Sequence, residues 1–212
     1  MPEFSVLYSD EALLVLDKPA GLLCVPGKGE DKQDCLSSRV QQHYADARVV
    51  HRLDMATSGL LLMARGAAVQ RTLNDAFASR EVRKRYVAVV DGLLAPLSAD
   101  WGVIDLPIQL DWPNRPRRII DRQGKASSTR WRVVNQNVNA QTTRLELEPV
   151  TGRSHQLRVH LQALQHPILG DALYGTAGSL AKAGRLLLHA TRLELTHPVS
   201  LQAMVFVSEP PF

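Results

Sequence analysis

The chain has 212 residues, 25 lysines and arginines against 21 aspartates and glutamates, a net charge of +4, and 45% hydrophobic and 22% charged residues. Such values exclude a disordered or fibrous chain, and the length is enough for one domain with a sizeable core. No apolar run approaches the length that crosses a bilayer, and the mild positive charge permits a polyanionic partner without demanding one.

Met1-Pro2-Glu3-Phe4 lacks the basic-then-apolar layout of a secretory leader. Cys24 and Cys35 have no Cys or His partner at zinc-ligand spacing, so free thiols in a reducing, cytoplasmic compartment are expected.

In chain order, Phe4 to Tyr8 and Ala12 to Leu16 read as short strands joined at Ser9-Asp10-Glu11. Asp17-Lys18-Pro19-Ala20-Gly21 and Val25-Pro26-Gly27-Lys28-Gly29 form a turn-rich connection, and the latter lacks the further Gly, Ser or Thr of a phosphate loop. With Asp34 as N-cap, Leu36, Val40 and Tyr44 predict an amphipathic helix. Val69, Leu73, Ala76 and Phe77 predict a second, with Arg71, Asn74 and Arg80 off the stripe.

Tyr86 to Val90 reads as a buried strand ending at Asp91-Gly92, with Arg83-Lys84-Arg85 at its start as either solvated charge or a phosphate contact. From Leu94 to Gln123 an irregular stretch is expected, broken by Pro96, Pro107, Pro113 and Pro116. Within it, Trp112, Arg115, Arg117 and Arg118 offer an aromatic and guanidinium planes on which unpaired RNA bases stack, or merely a surface loop with one anchoring Trp. Ser128 to Val134 and Thr143 to Glu148 alternate as strands, and Ser154 can cap a helix carrying Leu157, Leu161 and Leu164. Arg185 to Ala190 alone reads as a buried strand, and Leu193 to Leu195 and Ala203 to Val207 as the last two. The pattern as a whole predicts an α+β fold with a mixed, largely antiparallel sheet.

Chemistry centres on His51-Arg52-Leu53-Asp54-Met55-Ala56-Thr57-Ser58-Gly59, which places a carboxylate on a turn of small and polar residues before the apolar run Leu60 to Ala64. In isolation such an Asp is more often a turn residue bonded to its own backbone. His155 and His160, five apart, would point to different helix faces with no carboxylate at ligand spacing, so no metal site is expected.

The strings H-R-L-D-x-x-T-S-G at 51–59, K-x-Y ending at Tyr86, T-G-R-x-H-Q-x-R-x-H at 151–160, H-P-I-x-G-D-x-x-Y-G at 166–175 and L-H-A at 188–190 together resemble the RluA-type RNA pseudouridine synthases. The resemblance runs from about residue 10 to the C-terminus. Asp105-Leu106-Pro107-Ile108 and Asp111 to Pro116 look most like the dual-specificity members that act on 23S ribosomal RNA and on tRNA. It implies the catalytic α+β fold of that family, its central sheet flanked by helices and loops, as one domain over residues 1–212 without an N-terminal S4-type RNA-binding domain. The implied activity is isomerisation of uridine to pseudouridine, with base flipping, in a tRNA anticodon stem-loop and/or a 23S rRNA hairpin. No cofactor, metal or membrane is implied, and a monomer is the expected state.

The same resemblance gives Asp54 as the nucleophile, at ribose C1′ or uracil C6, Arg153 as its guanidinium partner and Tyr86 as the ring stacked on the uracil. Leu188 would line the base pocket and Arg52 would fill the space vacated by the flipped base. Arg115, with Arg83, Arg117 and Arg118, would hold phosphates. Two rivals stand beside it. A non-catalytic RNA-binding or RNA-folding protein on the same scaffold would survive loss of Asp54, and a hydrolase pairing Asp54 with His51 would call for a metal cluster or second carboxylate.

Overall fold

The computed structural model describes residues 3–95 and 100–212, so Met1, Pro2 and the expected break at Pro96 lie outside the described residues. In chain order the elements are β1 (Ser5–Ser9), β2 (Leu13–Lys18), α1 (Leu36–Gln41), β3 (Ala47–Val49), β4 (Ser58–Arg65), α2 (Gly66–Ala78), β5 (Arg83–Asp91) and β6 (Gly102–Asp105). There follow β7 (Ile108–Leu110), β8 (Arg118–Ile120), β9 (Ser128–Asn137), β10 (Thr142–Pro149), α3 (Gln156–Ala163), α4 (Ala177–Ala181), β11 (Leu188–Thr196) and β12 (Ala203–Val207). They form two compact units, and the chain passes between them after Lys84 and after Leu188.

The first unit is organised by β4. Leu60, Leu61, Leu62 and Met63 are at most 1% exposed, each contributing roughly 1.5–3 kcal/mol by leaving water. This continuous burial follows from position. β2 pairs antiparallel along the strand from Leu13↔Ala64 to Lys18↔Gly59, β3 pairs antiparallel at Met63 to Arg65, and β11 runs parallel at His189↔Ser58 and Ala190↔Gly59. β1 and β12 extend the sheet antiparallel on β2 and β11. Of the α2 stripe, Leu73 is the fully buried member.

The second unit is an antiparallel sheet in the order β5-β10-β9-β6, with β7 and β8 as a separate hairpin. β5 alternates rather than burying every residue: Tyr86, Ala88 and Val90 face in. Arg85 faces the other way, bonding Glu146 at 3.2 Å and Glu148 at 3.6 Å. A mixed, largely antiparallel α+β architecture is therefore what the strand alternation predicted.

Local expectations fared less evenly. Asp34 does not cap α1. Cys35 holds that position, and the Asp34 carboxylate is taken by Arg39 at 2.6 Å, while Tyr44 lies beyond the helix. Ser154 does not cap α3 either, because His155 occupies the cap in a left-handed conformation and Leu164 ends the helix as C-cap. Among its described residues, the stretch from Leu94 to Gln123 holds three strands, β6 to β8, of three or four residues each, too short for a period to register. The strand expected over Arg185 to Ala190 begins only at Leu188 and runs on through Leu193 to Leu195 as one strand, β11.

Candidate active site

Asp54 stands on a turn whose every neighbour is held. Leu53 is bracketed by one sulfur: its carbonyl accepts from the Cys24 thiol at 3.1 Å and its N–H donates to that Sγ at 3.3 Å. Burial pushes the Cys24 thiol up, which keeps it a protonated donor. The Met55 carbonyl accepts from the Gly21 N–H at 2.8 Å and from the Lys18 ammonium at 3.1 Å. Lys18 is fully buried, and its Nζ also donates to the carbonyls of Pro19 and Leu22, both at 2.8 Å. Three N–H donors thereby meet three carbonyls, which is how a buried ammonium is tolerated. The Thr57 N–H donates to the Asp54 carbonyl at 3.1 Å and closes the turn. Asp54 itself remains partly exposed and Arg52 beside it is exposed.

His51 is a strand anchor. Its Nε2 accepts the Leu62 N–H at 2.9 Å, so in the neutral ring the proton sits on Nδ1, and the ring packs on Phe77 with centroids 4.7 Å apart. Desolvation, helped by the Lys84 ammonium, pushes its pKa down to about 3. An imidazole so placed is no base at neutral pH, which removes the partner that the hydrolase reading needed.

This makes a pH prediction. A histidine whose folded pKa lies below its unfolded value adds stability that is complete above about pH 6.5 and is lost as the pH falls toward 3. His51 should cost the wild type roughly 1–2 kcal/mol of unfolding free energy between pH 7 and 5. His51→Gln keeps an acceptor without titrating, so urea unfolding should show a flatter acid limb. His160, also lowered by burial, supplies part of what remains. An identical acid limb in both proteins would mean that His51 is charged in the fold.

In the second unit, Gln156 organises the approach to α3. Its Oε1 accepts from the Thr151 hydroxyl at 2.7 Å and the Arg153 N–H at 3.0 Å, and its Nε2 donates to Ser128 O at 2.9 Å and Thr129 Oγ1 at 3.0 Å. Arg153 is thus fixed by its backbone while its side chain stays exposed, with Nε donating to Ala126 O at 3.3 Å. Arg158 and His160 of the same string point inward. The Arg158 guanidinium grips Asp171 in a two-bond fork at 2.8 and 2.7 Å. The His160 nitrogens face Thr129 Oγ1 at 2.9 Å and Leu106 O at 3.0 Å. Asp171 and Tyr174, legible only as a string, are the support: the Tyr174 hydroxyl accepts the Arg118 N–H at 2.8 Å and faces His155 Nδ1 at 2.7 Å.

Tyr86 and Leu188 are buried, and Arg115 is exposed with its guanidinium 4.8 Å from the centroid of the Trp112 ring. Of the basic cluster at β5, Arg83 is exposed, Lys84 sits over the Phe77 ring and Arg85 is engaged by two glutamates. Asp54 and Arg52 belong to the first unit; Tyr86, Arg115, Arg153 and Leu188 belong to the second. Sequence reasoning missed Lys18 and Cys24 as supports of the turn. A lysine two residues beyond the apolar run Leu13 to Leu16 is the one signal available, and it belongs to β2 rather than to the turn.

The family model for RNA pseudouridylate synthase matches residues 12–163, and the chain belongs to that family of RNA-modifying isomerases. Among its relatives, the dual-specificity RNA pseudouridine synthase RluA of Escherichia coli K12 is 46% identical over 206 residues, covering 97% of this chain and 92% of that one. The protein of the same name from Yersinia pestis is 46% identical over 208 residues, covering 98% and 99%. Of solved structures, human RNA pseudouridylate synthase domain containing 1 superposes with a TM-score of 0.80 at 28% identity, over 99% of this chain and 84% of that one. Domain containing 4 gives 0.74 at 26%, over 97% and 88%. Among the described residues no helix is long and apolar enough to cross a membrane.

Proposed function

We propose that this RNA pseudouridine synthase acts on uridines in stem-loops, of a tRNA anticodon arm and/or 23S ribosomal RNA, as a single catalytic domain and a monomer. The observation that supports it most is the turn at 53–58, where Cys24, Lys18 and Gly21 fix the residues flanking Asp54 while Asp54 itself stays partly exposed. A nucleophile held in this way meets its substrate without reorganisation. Two buried free thiols, Cys24 and Cys35, suit a cytoplasmic site of action.

In this reading the target base leaves its stack, Arg52 takes its place, and Tyr86 and Leu188 enclose the uracil. The Asp54 carboxylate, with Arg153 as its guanidinium partner in this reading, attacks C1′ or C6. The bond from C1′ to N1 breaks, the base turns within the pocket, C5 joins C1′ as Asp54 is released, and C5 loses its proton while N1 gains one, so that the product is an isomer of the substrate. Nothing is oxidised or reduced, so the reaction asks for no cofactor. Arg115, Arg117, Arg118 and Arg83 hold phosphates, which makes affinity fall with salt.

Mapping pseudouridine in total RNA from cells lacking the protein, before and after its return, tests the substrate. One or more sites in tRNA or 23S rRNA should vanish and reappear; an unchanged map would remove the reading. The stacking role has its own test. Tyr86→Phe keeps an aromatic face and should retain RNA affinity within about threefold, whereas Tyr86→Ala should lose about 1–3 kcal/mol of base stacking. Equal losses in filter binding would argue against stacking.

A further inference from the structure

The end of β4 that follows the Asp54 turn meets β11 at the paired positions His189↔Ser58 and Ala190↔Gly59. A chain of polar groups, buried at Ser58, His189 and Ser208 and half-buried at Asp17, runs across the first of them. The Ser208 hydroxyl donates to Asp17 Oδ2 at 2.7 Å. Its hydrogen is then spent, so His189 Nε2, 3.0 Å from the same oxygen, must be the donor in that contact. In the neutral ring Nδ1 is then the acceptor, and the Ser58 hydroxyl, 2.8 Å away, donates to it. Ser58, His189 and Ser208 are 3%, 2% and 7% exposed. Asp17 thus fixes the Ser208 hydroxyl, Ser208 fixes the His189 tautomer, and His189 fixes Ser58, four residues beyond Asp54.

From this chain, and resting on the reading of Asp54 as nucleophile, we infer that His189 is a positioning residue for the reaction, acting on the Asp54 turn through Ser58 with Ser208 and Asp17 behind it. The chemistry supports this over simple core filling. Apolar replacement of a buried hydrogen-bonded set is often close to neutral for stability, so packing alone gives no reason to orient four polar groups in series. Leu53 and Met55 are held from the side of Cys24 and Lys18. The Ser58 link is the corresponding hold on the C-terminal side of the turn. A displacement of about 1 Å at a reacting group can cost on the order of a hundredfold in rate.

The test is single-turnover conversion of a uridine-containing stem-loop RNA by the full chain, with RNA affinity and thermal midpoint measured alongside. His189→Asn puts an amide oxygen where Nδ1 accepts from Ser58, and should keep turnover within about threefold. His189→Gln reaches only toward Ser208 and should lower turnover by about ten- to a hundredfold with RNA affinity unchanged. Ser58→Ala, a smaller change that tolerates poor folding of the histidine variants, should lose as much as His189→Gln. The double variant should lose no more than either, because both cut one link. Equal rates for Asn and Gln at position 189, additive losses in the double variant, or rates that merely follow the folded fraction would each overturn the role. A wild type that makes no pseudouridine on any stem-loop would instead defeat the function from which the role follows.

Discussion

Asp54→Asn should leave a folded protein that binds RNA and makes no pseudouridine. The substitution is isosteric, and the bonds that fix the neighbouring residues are made by other groups. Leu53 is held by the Cys24 sulfur, Met55 by Gly21 and Lys18, and Thr57 by the carbonyl rather than the carboxylate of residue 54. What changes is charge and nucleophilicity, since a carboxylate attacks carbon and an amide does not. Single-turnover conversion should fall by at least about a thousandfold. Binding to the same RNA should stay within a few-fold, since the cationic contacts to phosphate are untouched. Turnover within about tenfold of wild type would take Asp54 out of the chemistry. Lost binding would instead make it a structural residue of the turn.

Much of this was legible where the signal was local. The run Leu60 to Ala64 lies within β4 and is buried as its composition suggests, and the alternation in Thr143 to Glu148 is that of β10. Helix caps were misjudged for a local reason as well. Asp34 has the right chemistry for a cap, but Arg39 five residues on competes for the same carboxylate and wins it. The supports of the turn were illegible because they are distant in sequence. Asp17 and Ser208 are 191 positions apart, Ser58 and His189 131, and Lys18 and Met55 37. No periodicity connects such pairs. The motif strings marked T-S-G and L-H-A as belonging together without giving the cause, which is that residues 58 and 59 lie in register with 189 and 190.

Gly59 is where that cause can be tested most severely. It has φ +106, a conformation that costs an L residue about 1–3 kcal/mol, and it lies opposite Ala190 in the parallel pair. A Cβ there would sit 2.3 Å from the Ala190 carbonyl oxygen and 2.7 Å from its nitrogen, and these are strand atoms with no side-chain torsion to relieve the overlap. Gly59→Ala should therefore cost strain plus overpacking, together about 3–6 kcal/mol, a large part of the stability of an ordinary domain. Gly66→Ala is the matched control, with φ +77 and nothing within 4 Å of its Cβ, and should cost the strain alone. Urea unfolding should separate the two by at least about 2 kcal/mol. The Gly59 variant should also lose turnover at temperatures where it remains folded, because the strand that carries Ser58 can no longer sit against His189. Equal destabilisation by the two alanines would mean that β4 and β11 can part without consequence, and the turn would have to owe its position to Cys24 and Lys18 alone.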